Sequence, residues 1–361
     1  MSITVDIKGQ PVKLLDTREL AIFHNKTTSV STWILDTFFP NRRVFNGTEV
    51  AMGDLDTNTP IAPLVAPSVQ GRVIIDQAEY NVKYVKPAYL KPSGYVTPQN
   101  VNDLALLGTM QQAGVVNNTV NMSGAEKMRI AQISRFTRNR ESITNFNVFM
   151  AIEVLLKGKV TFASKDFPEI TVDYGRHAEM AFTPTTKWDE AGATPVTDIK
   201  DMNARLVEHG GTDALAILTT SKVFGNMAKS DEFQDNFVKP LGANAANPLM
   251  IGSIAGGQEA KYRGELDGVQ IWTLDATYRN EKGVVTRYIG EKAFYMISDM
   301  SGFLCHCGLQ NLDAMEQPLD VYDYIVVEKD PSGVKLISES SPLAVPSNVN
   351  GVCGGEAFLT A

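Results

Sequence analysis

The rhythm of apolar and polar positions divides this chain into parts, and its clearest signal is one long helical run. Between Ala125 and Lys157 there is neither proline nor glycine. Ile143, Phe146, Met150 and Val154 recur along one helical flank, and Phe149, Ile152 and Leu156 along another. Ser123 and Glu126 stand at capping-box spacing ahead of the run. Lys157 lies where a cation favours the negative helix end, and Gly158 is free to take the left-handed closing conformation. The spacing predicts a single helix over 124–157, about 50 Å long at 1.5 Å per residue. Globular helices average about a dozen residues. The second half is apolar almost all round, so it needs cover on both flanks. That predicts a strut with its own sheet on one side and a second body on the other.

Ahead of the strut the pattern is extended. Residues 1–45 read as a thin arm with an apolar patch at Ser31–Leu35, Phe38 and Phe39, compatible with a short helix stopped by Pro40. Trp33, Phe38 and Phe39 are too close together for a thin arm to bury; they need the body of this chain or a neighbouring one. From Val44 to about Thr97 there is no helical period. Val73, Ile75, Val82, Tyr84 and Tyr89 have strand-forming side chains, interrupted by prolines from Pro60 to Pro92. A stretch this long with so few core positions reads as a long hairpin or extended loop, the kind of segment that pairs with another subunit. Asn100–Leu107 reads as one short helix.

Behind the strut the period shortens to two. Lys159–Phe162 and Ile170–Tyr174 predict a hairpin. An α/β rhythm follows: a helix over Asp198–Glu208 capped by Thr197 or Asp198, a buried strand at Ala214–Leu218, a helix opened by Thr220, and another from Asp231 to Val238. Asp267-Gly268 and Lys282-Gly283 are hairpin turns, and FYMIS is a strand. Two tail strands, Tyr322–Val327 and Val334–Ser338, flank a turn at Asp330–Gly333.

Composition then narrows the class. A length of 361 residues suggests about two domains, and 43% hydrophobic with 20% charged residues is ordinary for a folded chain. A net charge of -8 argues against a protein that binds nucleic acid over its whole surface. The strut is the exception, because Lys127, Arg129, Arg135, Arg138 and Arg140 face only Glu126 in its first half. A basic element on an acidic body hints at a side that faces a polyanion; the plainer reading is a solvated helix face. Three cysteines are too few for a disulfide framework and fit a reducing compartment. The N-terminus carries no signal-peptide pattern and no run is long enough to span a membrane, so a cytosolic site of synthesis and no membrane partner are expected.

Candidate chemistry is sparse. In Cys305-His306-Cys307, a strand would point both thiols to one face and the imidazole to the other, so no metal site is expected and buried small side chains are the plainer reading. There is no nucleophile elbow, Walker motif or dinucleotide fingerprint. The histidines are His24, His177, His209 and His306, and none stands in a catalytic constellation. No catalytic residue, cofactor or enzymatic activity is expected.

The order of parts, with local motifs, resembles the major capsid proteins of tailed bacteriophages, and among them the lambda-like major capsid protein E family. The motifs are VLLKGKVTF…PEITVDYGR (Val154 to Arg176), PSVQGRV (Pro67 to Val73), Tyr84-Val85-Lys86-Pro87 and ESSPL (Glu339 to Leu343). The resemblance implies an α+β, HK97-like capsid fold with a long spine helix, an extended E-loop, a peripheral sheet and an axial α/β domain. On that reading 1–49 is an N-terminal arm and 50–98 the E-loop. Residues 99–199 form the peripheral domain, with the spine helix at 124–157 and a hairpin at 159–174. The axial domain is 200–318, and 319–361 returns to the peripheral domain. Trp33, Phe38, Phe39, Val73, Ile75, Tyr84 and Tyr89 are then intersubunit contacts, while Arg129, Arg135, Arg138 and Arg140 face the lumen, its DNA or a scaffold. The implied function is an icosahedral shell of pentamers and hexamers around double-stranded DNA. The implied partners are a separate scaffolding protein, a portal and a decoration protein. The implied location is the virion, after assembly in the host bacterial cytoplasm. Another phage structural protein, such as a tail tube or decoration subunit, is the alternative reading, and a cytosolic hydrolase the more remote one.

Overall fold

A computed structural model describes residues 3–7, 10–14, 32–55, 80–97, 124–164, 167–238, 260–280, 283–314, 319–329 and 332–360. The long helix runs over Gly124–Lys157, 34 residues, as the spacing predicts. Ser123 of the expected capping box lies outside the described residues, as does the helix expected at Asn100–Leu107. At the other end Gly158 takes φ +65°, and its N–H donates to the Val154 carbonyl at 2.9 Å.

Most of the C-terminal half of this helix is covered by its own chain. Met150, Ala151 and Val154 are fully buried. Part of that cover is the short arm helix Trp33–Phe38, which stops ahead of Pro40. Phe38 and Phe39 are each only 2% exposed, and the Trp33 ring lies 5.1 Å from that of Trp272. The hairpin Lys159–Ser164 with Phe167–Asp173 folds back beside the helix, where Phe162 stacks on Phe146 at 6.0 Å. Phe149, in the second of the two apolar rows, meets Tyr278 at 5.4 Å. The second body predicted for that flank is therefore the chain itself.

Three sheets position these parts. In the first, Tyr322–Lys329 pairs with Ser332–Glu339, which pairs with Ser93–Val96; this sheet lies along the N-terminal half of the long helix. Val96, Ala131, Val334 and Leu336 form its small core. The second joins Pro342–Val345, Phe303–His306 and Asn41–Val44. The third is six-stranded, in the order Phe237–Val238, Lys261–Leu266, Val269–Thr273, Ala216–Thr219, Phe294–Ile297, Val352–Gly355. Alternation along its strands gives it two buried faces. Leu218, Trp272, Tyr295 and Ile297 face the core shared with the long helix. Ile217, Ile271, Phe294 and Met296 face a second core under the helices Pro195–Arg205, Ser221–Met227 and Asp231–Asn236.

Three details differ from the sequence expectation, the first being that the helix expected over Asp231–Val238 ends at Asn236, with Phe237–Val238 paired into the six-stranded sheet. The helix expected from Asp198 begins at Pro195 with Thr194 at its N-cap position, because proline's fixed φ and missing N–H suit the first helical position. The tail does not return to one place. Its hairpin joins the sheet beside the long helix, whereas Val352–Gly355 becomes the edge of the six-stranded sheet by pairing with Phe294–Ile297. The 319–361 segment thus ties the two halves of the molecule together.

Candidate assembly interface

The long helix is held at its C-terminus by a residue distant in sequence. Arg176 follows the hairpin and returns its guanidinium to the last turn. Nη1 donates to the Leu156 carbonyl at 2.6 Å, Nη2 to those of Leu155 and Val154 at 2.7 and 3.5 Å, and Nε to that of Val349 at 2.9 Å. Helix-end carbonyls lack intrahelical donors and carry partial negative charge, so a cation satisfies both needs. Burial pushes the guanidinium down to about 10, still far above neutrality, so it stays charged. A Cβ on Gly158 would lie 2.8 Å from Arg176 Nε, so glycine here serves both the left-handed turn and the close approach.

A second anchor holds the root of the extended loop. Val50–Leu55 and Tyr80–Val85 pair antiparallel as a two-stranded stem, and the chain then re-enters the body through buried Ala88. The carboxylate of Glu339, 1% exposed, accepts from Lys91 Nζ at 2.6 Å and from the hydroxyls of Tyr89 and Tyr324 at 2.8 Å each. Asn311 Nδ2 adds a longer contact at 3.4 Å. Desolvation raises the carboxyl of Glu339, but donation from Lys91, Tyr324 and Tyr89 outweighs it and the net direction is down. The same site, burial first and the Glu339 bond second, pushes the Tyr89 phenol up to about 12.

What remains outward-facing is apolar in places. Tyr84 on the stem is 71% exposed. Tyr322–Lys329 pairs along one edge only among the described residues, and Ile325, Val326 and Val327 on it are 40–70% exposed. An eight-residue edge strand with three successive exposed aliphatic residues is a template for pairing with another chain.

The residues singled out in the sequence are dispersed by this arrangement. Phe38 and Phe39 are buried inside the chain, Trp33 is half-buried against Trp272, and Tyr89 is held by Glu339. Only Tyr84 of that set is both described and exposed; Val73 and Ile75 lie outside the described residues. On the long helix, Arg140 pairs with Asp323 at 2.6 Å. The Arg135 stem lies over Gly94, with Nη2 3.5 Å from the Tyr95 carbonyl, and Arg138 is exposed. The Arg129 side chain lies outside the described residues. Cys305, His306 and Cys307 are all buried, and burial lowers the imidazole and raises both thiols.

Sequence reasoning missed Arg176, Glu339 and a cluster of His177, Glu179 and His209, whose potential ligand atoms lie within 4.8 Å of one another. No local signal gives them, since each depends on partners from remote segments.

A long spine helix, a hairpin at its end, a two-stranded loop stem and a six-stranded sheet with helices on one face together define the HK97-like class of capsid shell subunit. A solved prophage capsid protein from E. coli CFT073, 15% identical, superposes with a TM-score of 0.66 over 95% of this chain and 99% of its own. The chain belongs to the phage major capsid protein E family, whose sequence profile matches residues 16–357. It is 20% identical to the major capsid protein of Enterobacteria phage P21 over 92% of this chain and 96% of that one, and equally to the P21 prophage-derived major head protein of Escherichia coli O6:H1 strain CFT073. Its identity to the major capsid protein of Escherichia phage lambda is also 20%, over 340 residues. The function is that of a tailed-phage major capsid protein, a self-assembling subunit of the virion shell.

Proposed function

We propose that the shell is icosahedral, that pentamers and hexamers of this chain build it, and that the 50–85 loop clamps each subunit to a neighbour. The observation that carries this reading is the stem Val50–Leu55 with Tyr80–Val85, which pairs with no other strand among the described residues yet is rooted by Lys91, Tyr89 and Glu339. A firmly rooted stem with exposed Tyr84 is suited to transmit force to a partner rather than to complete its own core. The domain division, with an arm at 1–49, a peripheral part around the spine and an axial part at 200–318, follows the same reading. Residues 86–98 are then the loop's return into the body rather than part of its reach.

The basic half of the spine faces the interior in this proposal, where Arg129, Arg135, Arg138 and Arg140 meet packaged double-stranded DNA or a scaffold without reading sequence. A separate scaffolding protein, a portal and a decoration protein are the expected partners, and assembly takes place in the host cytoplasm before packaging. The shell's role is structural, with no catalytic step.

Replacing residues 56–79 by a two-residue Asn-Gly turn tests the clamp while preserving the stem and its root. The expected result is a folded chain, unchanged in circular dichroism, that fails to form closed shells. Normal shells from this variant would overturn the clamp.

A further inference from the structure

The cluster at His177, Glu179 and His209 has no part in the anchors or in the proposed clamp. Its members come from two separate segments: His177 and Glu179 from the turn after the spine hairpin, and His209 from a π turn, Leu206–Gly210, that ends the helix Pro195–Arg205. The two imidazole rings stack with centroids 4.1 Å apart, and His209 Nε2 lies 3.0 Å from a Glu179 carboxylate oxygen. Two ligands each about 2.0–2.1 Å from one zinc-sized ion, at angles between octahedral and tetrahedral, are themselves roughly 3 Å apart.

The surroundings fix the backbone of all three. His177 N–H donates to Asn350 Oδ1 at 2.9 Å, and Asn348 Nδ2 donates to the Gly210 carbonyl at 2.8 Å, so one loop braces both sides of the cluster. A Cβ at Gly210 would lie 2.7 Å from the Asn350 carbonyl oxygen. Arg205 Nη1 donates to the Glu179 carbonyl at 2.9 Å. The π turn adds a residue to the final helical turn and so sets the direction in which His209 projects; such turns recur at functional sites. His177 Nδ1 accepts a long bond, 3.4 Å, from the Glu179 amide.

We propose that His177, Glu179 and His209 bind one divalent transition-metal ion of the zinc type, water completing its coordination, and so staple the exit of the spine hairpin to the end of the Pro195–Arg205 helix. Two neutral imidazoles and one carboxylate are a donor set that favours zinc, nickel or copper over calcium or magnesium. With Glu179 and His177 exposed and His209 partly so, the ion stays open to solvent, unlike a closed structural zinc. The contacts link the part built on the spine to the part built on the six-stranded sheet.

The test is a calorimetric zinc titration of the untagged, full-length, chelator-treated chain before assembly. The expected result is one zinc per subunit, with His177→Gln and His209→Gln each weakening it at least about tenfold, the loss typical even for a supporting residue. Both positions are at the surface, so circular dichroism should be unchanged. Cobalt should bind the wild-type chain with a visible spectrum free of thiolate charge transfer, and that spectrum should vanish in the double variant. The proposal falls if zinc does not bind saturably, if the double variant binds as the wild type does, or if the cobalt spectrum reports sulfur ligation. Any of these would leave the His209–Glu179 contact as a plain hydrogen bond.

Discussion

Arg176 takes four backbone carbonyls as partners where a carboxylate would be the usual choice for a buried guanidinium. An isolated buried charge is costly, and here the helix end supplies the compensating partial charge. Truncation to Arg176→Met keeps the stem's volume but leaves several helix-end carbonyls without donors. A loss of about 2–4 kcal/mol is expected in denaturant unfolding of the unassembled chain. A change below about 0.5 kcal/mol would show that water satisfies those carbonyls as well. The sequence announced the closing glycine, because Gly158 and Lys157 are local signals. It did not announce Arg176, whose role exists only once the hairpin has turned the chain back on the helix. Glu339 was hidden in the same way, since Lys91, Tyr89 and Tyr324 reach it from two other segments.

Among the elements, the spine helix was the most legible. The absence of proline and glycine, together with its two apolar flanks, marked both its length and the burial of most of its C-terminal half. The pattern did not disclose what covers each flank, because an apolar stripe looks the same whether its partner lies in the same chain or in a neighbour. Phe38 and Phe39 answer that from within the chain, whereas Tyr84 and the Tyr322–Lys329 edge are among the exposed apolar features of the described residues. The basic half has a matching ambiguity. Arg140 already has Asp323, an exposed pair worth about 1 kcal/mol or less, so it remains available to a polyanion at little cost. Replacing Arg129, Arg135, Arg138 and Arg140 by glutamine is expected to spare shell formation and reduce the DNA retained per particle, measured by absorbance ratio after nuclease treatment. Wild-type DNA content in that variant would mean that this face is only solvated.

At the scale of the molecule, the chain's order is more regular than its packing. Arm, loop, spine, hairpin, α/β block and tail follow one another in sequence, yet each half of the molecule is completed by a remote segment. Asn41–Val44 pairs with Phe303–His306, and Val352–Gly355 closes the sheet begun at Ala216. The spine helix and its hairpin were therefore legible and the partners of the tail were not, since strand partners across such separations leave no periodic trace. The stretch from Val154 to Arg176 serves geometry: helix end, hairpin and guanidinium clamp. The central claim is that these parts make a shell subunit. Negative-stain microscopy of the purified chain tests that most directly. Closed, capsid-sized particles or their curved fragments are the expected result. Tubes, small rings or discrete monomers under every assembly condition would contradict it.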